Sequence, residues 1–252
     1  MFDDPQDIEI ATLLALILVF EVWERRRPAR RVDRLARLRL DVLCFGFALF
    51  VNRISTQTVT GAIDALGPRV AVDALHSLRG LPSAVRIALA LVVVDFVLYW
   101  LHRAQHRNAW LWSTHAWHHS VEELYWFSGF RTSFLHSLLY NIPQTAVPLL
   151  VFGLSPLEAG AAYAIGVVVQ FVEHTNVRTE VGWLRFVFIT PQYHRIHHSA
   201  SEFRGRNLAF VFPVWDWLFG TQVDPERVGE GFSLGLGEPV ERARVPRMLV
   251  GV

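Results

Sequence analysis

Lysine is absent from this 252-residue chain, cysteine occurs once, and charged residues make up only 19% of it. The single cysteine, Cys44, rules out an intramolecular disulfide and any cysteine-based metal site. It lies inside an apolar run and reads as a small buried hydrophobe. The formal net charge is +1, and no basic stripe is interleaved with stacking aromatics, so nucleic acid is excluded as a partner. There is no G-x-G-x-x-G run behind a strand, no cysteine quartet and no evident haem module. Gly235-Leu236-Gly237 is too short to count as a nucleotide loop. The acidic start Asp3, Asp4, Asp7 is unlike the basic start of a signal peptide, so the apolar segment behind it reads as a retained anchor.

What the chain does have is hydrophobicity, at 52% of residues, which favours a membrane protein. Apolar segments run over Ile8–Trp23 and about Leu40–Val59, Ala84–Leu101, Phe134–Phe152 and Leu157–Val172, each near the ~20 residues that a bilayer core requires. Arg25, Arg26, Arg27, Arg30, Arg31, Arg34, Arg37 and Arg39 follow the first segment, and the positive-inside rule assigns that density to the cytoplasm. Counting crossings from an outer N-terminus then puts the loop after the third segment, and everything after the fifth, on the cytoplasmic side. Gly153-Leu154-Ser155-Pro156 joins the fourth and fifth segments as a helical hairpin whose first arm is bent by Pro143 and Pro148. The stretch from Gly61 to Pro82 reads as an outer connection. The predicted fold class is all-α: a multi-pass transmembrane bundle of about four to five membrane segments with a cytosolic histidine-rich cap. Its parts are anchor helices and connection over 1–83, a histidine-motif catalytic domain over 84–225, and an exposed tail over 226–252.

Eight of the eleven histidines fall into three groups, His102/His106, His115/His118/His119 and His194/His197/His198. Residues three and four apart share a helix face, so each group is expected to aim two or three imidazoles at one point. All three groups fall on the predicted cytoplasmic face. Imidazole at this density suits iron, zinc or copper, whereas calcium and magnesium want clustered oxygen ligands. His115-Ala-Trp-His118-His119-Ser120 recurs in kind as His194-Arg-Ile-His197-His198-Ser199. His174, just after the fifth segment, reads as a ligand or near-ligand, and His136 as a supporting or structural residue. His76 in the outer connection has no metal-binding context. Asp95, Tyr99, His102 and His106 form one helical stripe, in which Asp95 is too far down for a ligand and reads as a support or as an interhelical polar contact. Eight or nine imidazoles exceed what one tetrahedral or octahedral ion holds, so two ions are expected.

These motifs closely resemble the fatty acid hydroxylase superfamily, the sterol desaturase-like membrane enzymes. The matching residues are Asp95…Tyr99-Trp100-Leu101-His102-Arg103…His106, His115…His118-His119-Ser120, His174-Thr175-Asn176, Pro191…His194-Arg195…His197-His198-Ser199 and Trp215-Asp216-Trp217-Leu218-Phe219-Gly220-Thr221. The resemblance implies a non-haem di-iron centre, with zinc a possible substitute, that uses O2 to hydroxylate or desaturate a lipid. Carried over residue by residue, the ligands are His102, His106, His115, His118, His119, His174, His194, His197 and His198, with Asp95, Tyr99 and Asn176 in catalytic support. Some members carry a further histidine where this chain has Arg178, and His136 is a candidate replacement. Many have a proline and an acidic residue where this chain reads Phe134 and His136.

Two electrons per turnover require a separate donor, ferredoxin- or cytochrome b5-like, with Arg195, Arg204 and Arg206 as its docking patch. Trp110, Trp112, Trp117, Tyr125, Trp126 and Phe127 either line a lipid entrance or form the aromatic belt of any membrane interface. The all-arginine basic set is compatible with a GC-rich bacterial genome, so the expected location is a bacterial inner membrane. The competing readings are a dinuclear lipid hydrolase, which usually has bridging carboxylates that these motifs lack, and a non-enzymatic haem or metal-binding membrane protein.

Overall fold

A computed structural model describes residues 17–66, 76–229 and 231–252, with the side chains of His76 and Ser77 outside the described set, and among these residues the fold is all-helical. The start of the expected anchor Ile8–Trp23, residues 67–75 of the expected outer connection and the His76 side chain therefore lie outside the described residues. Helix α1 occupies 17–26 in the described part. Asp33 then caps α2, accepting from the Ala36 amide, and α2 runs unbroken over Arg34–Leu66. The expected second span is thus the middle of a longer rod of about 50 Å, and Gly61 continues the helix instead of opening a loop. After the short α3 (His76–Arg79), α4 runs over Ser83–Arg107 from Pro82.

Asn108 has extended backbone and its side chain accepts from the Trp110 and Leu111 amides, so it stops α4 and caps α5 (Ala109–His119) in a single residue. That reversal lays the two histidine-bearing segments against each other. Ser133 caps α6 (Phe134–Ala146), which passes through Pro143 into a π-helical turn over Val147–Val151. Proline cannot supply the amide of a regular helical turn, so the expected bend falls here. Gly153 turns the chain with φ +56°, where a Cβ would meet the Arg79 side chain at 2.8 Å. Arg86 ties off the same turn by donating to the Phe152 and Gly153 carbonyls. A reciprocal Ser155–Glu158 capping box opens α7 (Pro156–Glu173). The short helices α8 (Pro191–His197), α9 (Val214–Leu218) and α10 (Val245–Val250) complete the described chain.

Among the described residues one helix, α4, is long and apolar enough to cross a membrane, and only 28% of its apolar window is buried. Val85, Leu89, Val92, Val93, Phe96, Val97 and Trp100 remain exposed along it, as do Leu43, Leu49 and Phe50 on α2 and Ile165 and Val168 on α7. The long helices are tied by polar contacts inside their apolar packing. Asn141 of α6 donates to Asn52 and accepts from Thr56 of α2, while Tyr163 of α7 also donates to Asn52.

The segment beyond Pro225 folds back and does not extend as an exposed tail. Phe232 and Leu234 are buried with Val121, Leu124 and Ile196, and Met248 is buried with Cys44 and Trp117. Arginines and glutamates interspersed in that segment made it read as solvated, but its apolar residues cover the back of the histidine-bearing helices. Cys44 is buried as expected. Trp117, Tyr125 and Trp126 are likewise core residues, so they neither line an entrance nor form a belt.

Candidate metal centre

The C-terminal ends of α4 and α7, the N-terminal end of α6, and α5 and α8 all meet at one end of the helix assembly. Nine histidines gather there in two groups: His102, His106, His115, His119 and His197, and His118, His174, His194 and His198. Within each group the ligand nitrogens lie within 4.8 Å of one another. These are the nine expected positions, but the partition differs from the expected one. Neither H-x-x-H-H motif converges on a single point. His115 and His119, four apart, face the first group while His118 faces the second; His194 and His198 face the second while His197 crosses to the first. A helix turns about 100° per residue, so an i, i+4 pair stays aligned and the histidine between them points away. The two motifs exchange one ring each, and the groups share a wall in which His119 stacks on His198 at 4.5 Å and His115 on His118 at 5.1 Å.

The hydrogen bonds behind the rings decide what they present. His102 Nδ1 donates to the Leu208 carbonyl at 2.8 Å, His197 Nδ1 to Arg206 at 2.9 Å, His118 Nδ1 to Arg131 at 3.1 Å and His174 Nδ1 to Gln170 at 2.8 Å. A carbonyl only accepts, so each Nδ1 carries the proton and each neutral ring aims a bare Nε2 lone pair inward. His118 Nε2 faces His174 Nε2 at 3.2 Å, two lone pairs pointing at each other. His102 and His115 approach through Nε2 at 2.9 Å, and His174 and His194 at 3.0 Å. His197 Nε2, His198 Nδ1 and both nitrogens of His106 are buried without a hydrogen-bond partner. Facing lone pairs in a dry site repel unless a cation lies between them. Metal–imidazole bonds of about 2.0–2.1 Å separate two ligands on one ion by about 3–4 Å, which matches these contacts. The residues fit a metal site.

Burial keeps these rings neutral. It holds His118 down at about 4, the Arg131 carbonyl opposing the shift and the Arg131 charge adding to it. Burial and neighbouring His118 lower His174 to about 3. An unfolded histidine titrates near 6.5, so between about 6.5 and 4 the unfolded chain takes up protons that the folded one refuses. Folded pKa values below the unfolded value give stability that is full above about 6.5 and is lost as pH falls. The metal-free protein in detergent should therefore show a thermal midpoint that drops steadily from about pH 7 to pH 4.5. A midpoint independent of pH over that range would contradict the buried, neutral assignment.

The supporting atoms are mostly backbone carbonyls, which leave no residue signature, and the side chains that place them were given no role in the sequence reading, although Asp216 stands in the matched Trp215–Thr221 run. Asp216 accepts from the Leu208 and Ala209 amides, the Tyr193 hydroxyl and the Thr221 hydroxyl, and so fixes the Leu208 carbonyl that orients His102. Glu173 lies buried with carboxylate oxygens 3.5 Å from His174 Nδ1 and 3.6 Å from His194 Nδ1. Its signal was an acidic residue ending an apolar helix beside a histidine. Gly129 packs so closely that a Cβ there would fall 2.6 Å from the His174 ring.

Asp95, Tyr99 and Asn176, expected in catalytic support, with a polar contact between helices as the other reading of Asp95, make hydrogen bonds to the surrounding scaffold. Asp95 accepts from the Val211 and Phe212 amides and the Trp215 indole. Tyr99 shares a hydrogen bond with Thr221 and accepts from Arg103. Asn176 pairs with the Arg30 backbone, joining the arginine-rich stretch to the histidine end. His136 backs His115, with their Nδ1 atoms 3.2 Å apart, and belongs to neither histidine group. Arg195 is fully buried, donating to the Thr175 and Val177 carbonyls, and so drops out of the expected docking patch. Arg204 and Arg206 are exposed.

The described residues thus form an all-helical fold that holds, at one end of its long helices, two packed histidine groups able to bind metal. Residues 87–221, just over half the chain, match the pattern described as fatty acid hydroxylase, and the chain belongs to that family. Over 176 residues it is 35% identical to an ornithine lipid hydroxylase of Rhizobium tropici, covering 64% of this chain and 52% of that protein. Over 156 residues it is 31% identical to the alkylglycerol monooxygenase of Homo sapiens, covering 60% and 34%. A very-long-chain aldehyde decarbonylase of Oryza sativa is 26% identical over 186 residues, covering 67% and 27%. The chain thus spans about half or less of the length of these relatives. No solved structure matches it.

Proposed function

We propose that this chain is a membrane-bound non-haem di-iron oxidoreductase that uses O2 and external electrons to hydroxylate a lipid. The observation that carries the reading is the set of inward Nε2 lone pairs in two adjoining groups, fixed by carbonyls behind them. His102, His106, His115, His119 and His197 would hold one ion and His118, His174, His194 and His198 the other. Bound there, a pair of irons supplies the capacity to activate O2 towards an unactivated C–H bond. The protein's own share is rigidity, neutral ligands and exclusion of water. Arg131, the Leu208 segment and Glu173 stiffen the rings from behind. Imidazole-only sites without bridging carboxylates suit this chemistry better than dinuclear hydrolysis, and clustered rings at one end do not suit haem.

Hydroxylation is preferred over desaturation because the relatives in the 30–35% identity range are named as a hydroxylase and a monooxygenase. The apolar faces of α2, α4 and α7 meet lipid, and we place the histidine end on the cytoplasmic side of a bacterial inner membrane. The arginine-rich stretch supports that side, since Arg30 and Ala29 are hydrogen-bonded to Asn176 beside the site.

The test joins metal analysis to lipidomics. Anaerobically purified protein loaded with ferrous iron should hold about two irons per chain, as two groups of nitrogen ligands require. Cells carrying the gene should gain a lipid heavier by one oxygen than cells without it. No iron uptake would overturn the metal assignment. A loss of two hydrogens would instead select desaturation.

A further inference from the structure

Trp112 is half-buried on the same face of α5 as His115 and His119, one turn earlier, and its ring lies against three of the five histidines of the first group. Ring centroids are 5.1 Å apart for His106, 5.2 Å for His119 and 6.1 Å for His115. The guanidinium of exposed Arg204 sits over the indole at 4.4 Å, a cation–π contact. The turn that carries Arg204 also covers His106, since a Cβ on Gly205 would lie 3.8 Å from the His106 Cβ. One aromatic ring therefore spans the distance from a cationic surface point to the histidine nitrogens. His106, beneath Trp112, is the half-buried histidine of the group, and His102, His115, His119 and His197 are buried.

We propose that Trp112 is the electron entry to the first histidine group and that Arg204 is the contact for an acidic one-electron carrier. This rests on the redox reading above. In each transfer one electron leaves the reduced carrier, passes through the indole and arrives at the metal site. The carrier is oxidised by one unit and the site reduced by one, with no proton or atom exchanged at Trp112. Two such transfers supply the two electrons of a turnover. Arg204 does two jobs from one position: it attracts an acidic partner and covers the indole from the surface side while the other side packs, tilted, against His106 and His119.

The test uses the iron-loaded full chain in detergent, first oxidised to the ferric state in air and then freed of O2, without lipid substrate, and follows by stopped flow the oxidation of a reduced plant-type two-iron ferredoxin, an acidic carrier, as the ferric iron takes up its electrons. Trp112→Phe keeps an apolar ring over the histidines but removes the indole. It should keep wild-type iron content and wild-type reduction by dithionite, yet accept electrons from ferredoxin several-fold more slowly at saturating carrier. Arg204→Glu should raise the ferredoxin concentration needed for half-maximal rate about tenfold at low salt, as reversal of a steering charge does, and the difference should shrink as salt is added. Wild-type ferredoxin rates in both variants with full iron would overturn the route while leaving the metal centre standing. Wild-type protein that takes up no reducible iron would overturn the metal reading, and this proposal with it.

Discussion

His118→Ala and His197→Ala are each expected to abolish turnover and to lower iron occupancy, although each takes its ring from a different group. His197 is the ring that the second motif sends across to the first group, and His118 is its counterpart in the second. Removing a supporting contact behind a metal ligand already costs about 10–100-fold in affinity, so loss of the ligand itself should cost more than about 100-fold. The crossing makes the outcome specific. His197→Ala should weaken the iron held by His102, His106, His115 and His119 first, and His118→Ala the iron held by His174, His194 and His198. Iron titration with a spectroscopic readout of the two sites separates these effects. Full iron content in both variants would contradict the assignment.

Asp216→Ala should be among the most destabilising single changes in the chain. The carboxylate is fully buried and accepts from two amides and two hydroxyls, so truncation leaves four donors unpaired in a dry interior. A buried donor left without a partner costs about 1–3 kcal/mol, and several are left here. The change should also reach the metal, because the Leu208 amide held by Asp216 belongs to the residue whose carbonyl orients His102. Iron affinity should fall about 10–100-fold, measured at a temperature where the variant is still folded by circular dichroism. A folded variant that binds iron with wild-type affinity would cut the link between Asp216 and His102, leaving Asp216 as a residue of stability alone.

Much of the candidate site was legible because metal binding by imidazole requires a residue type that is rare elsewhere, at spacings that a helix imposes. All nine histidines named from the motifs fall in the two groups. The errors came where one sequence feature has two physical outcomes. Arg195 looked like its exposed neighbours but is needed to satisfy the Thr175 and Val177 carbonyls, and it is buried. Asp95 was not among these errors: read as a support or a polar contact between elements, it accepts from the Val211 and Phe212 amides. The apolar residues of the last 27 positions were diluted by charge, so their docking under Trp117 and Ile196 left no periodic pattern to read.

The order and spacing of histidines, the apolar segments and the near absence of charge within them were enough to determine the all-helical character of the described residues and the histidine-rich end of the fold. Periodicity is a property of neighbouring residues, and it survives without knowledge of the fold. Only the tertiary structure decided which ring joins which group, since a helix rotation of about 100° per residue separates neighbours that the sequence prints side by side. It also decided which carbonyl stands behind each Nδ1, and that Trp112 rather than any other tryptophan lies between the surface and the histidines. Those are contacts between segments distant in the chain, and backbone atoms carry no letter in a sequence.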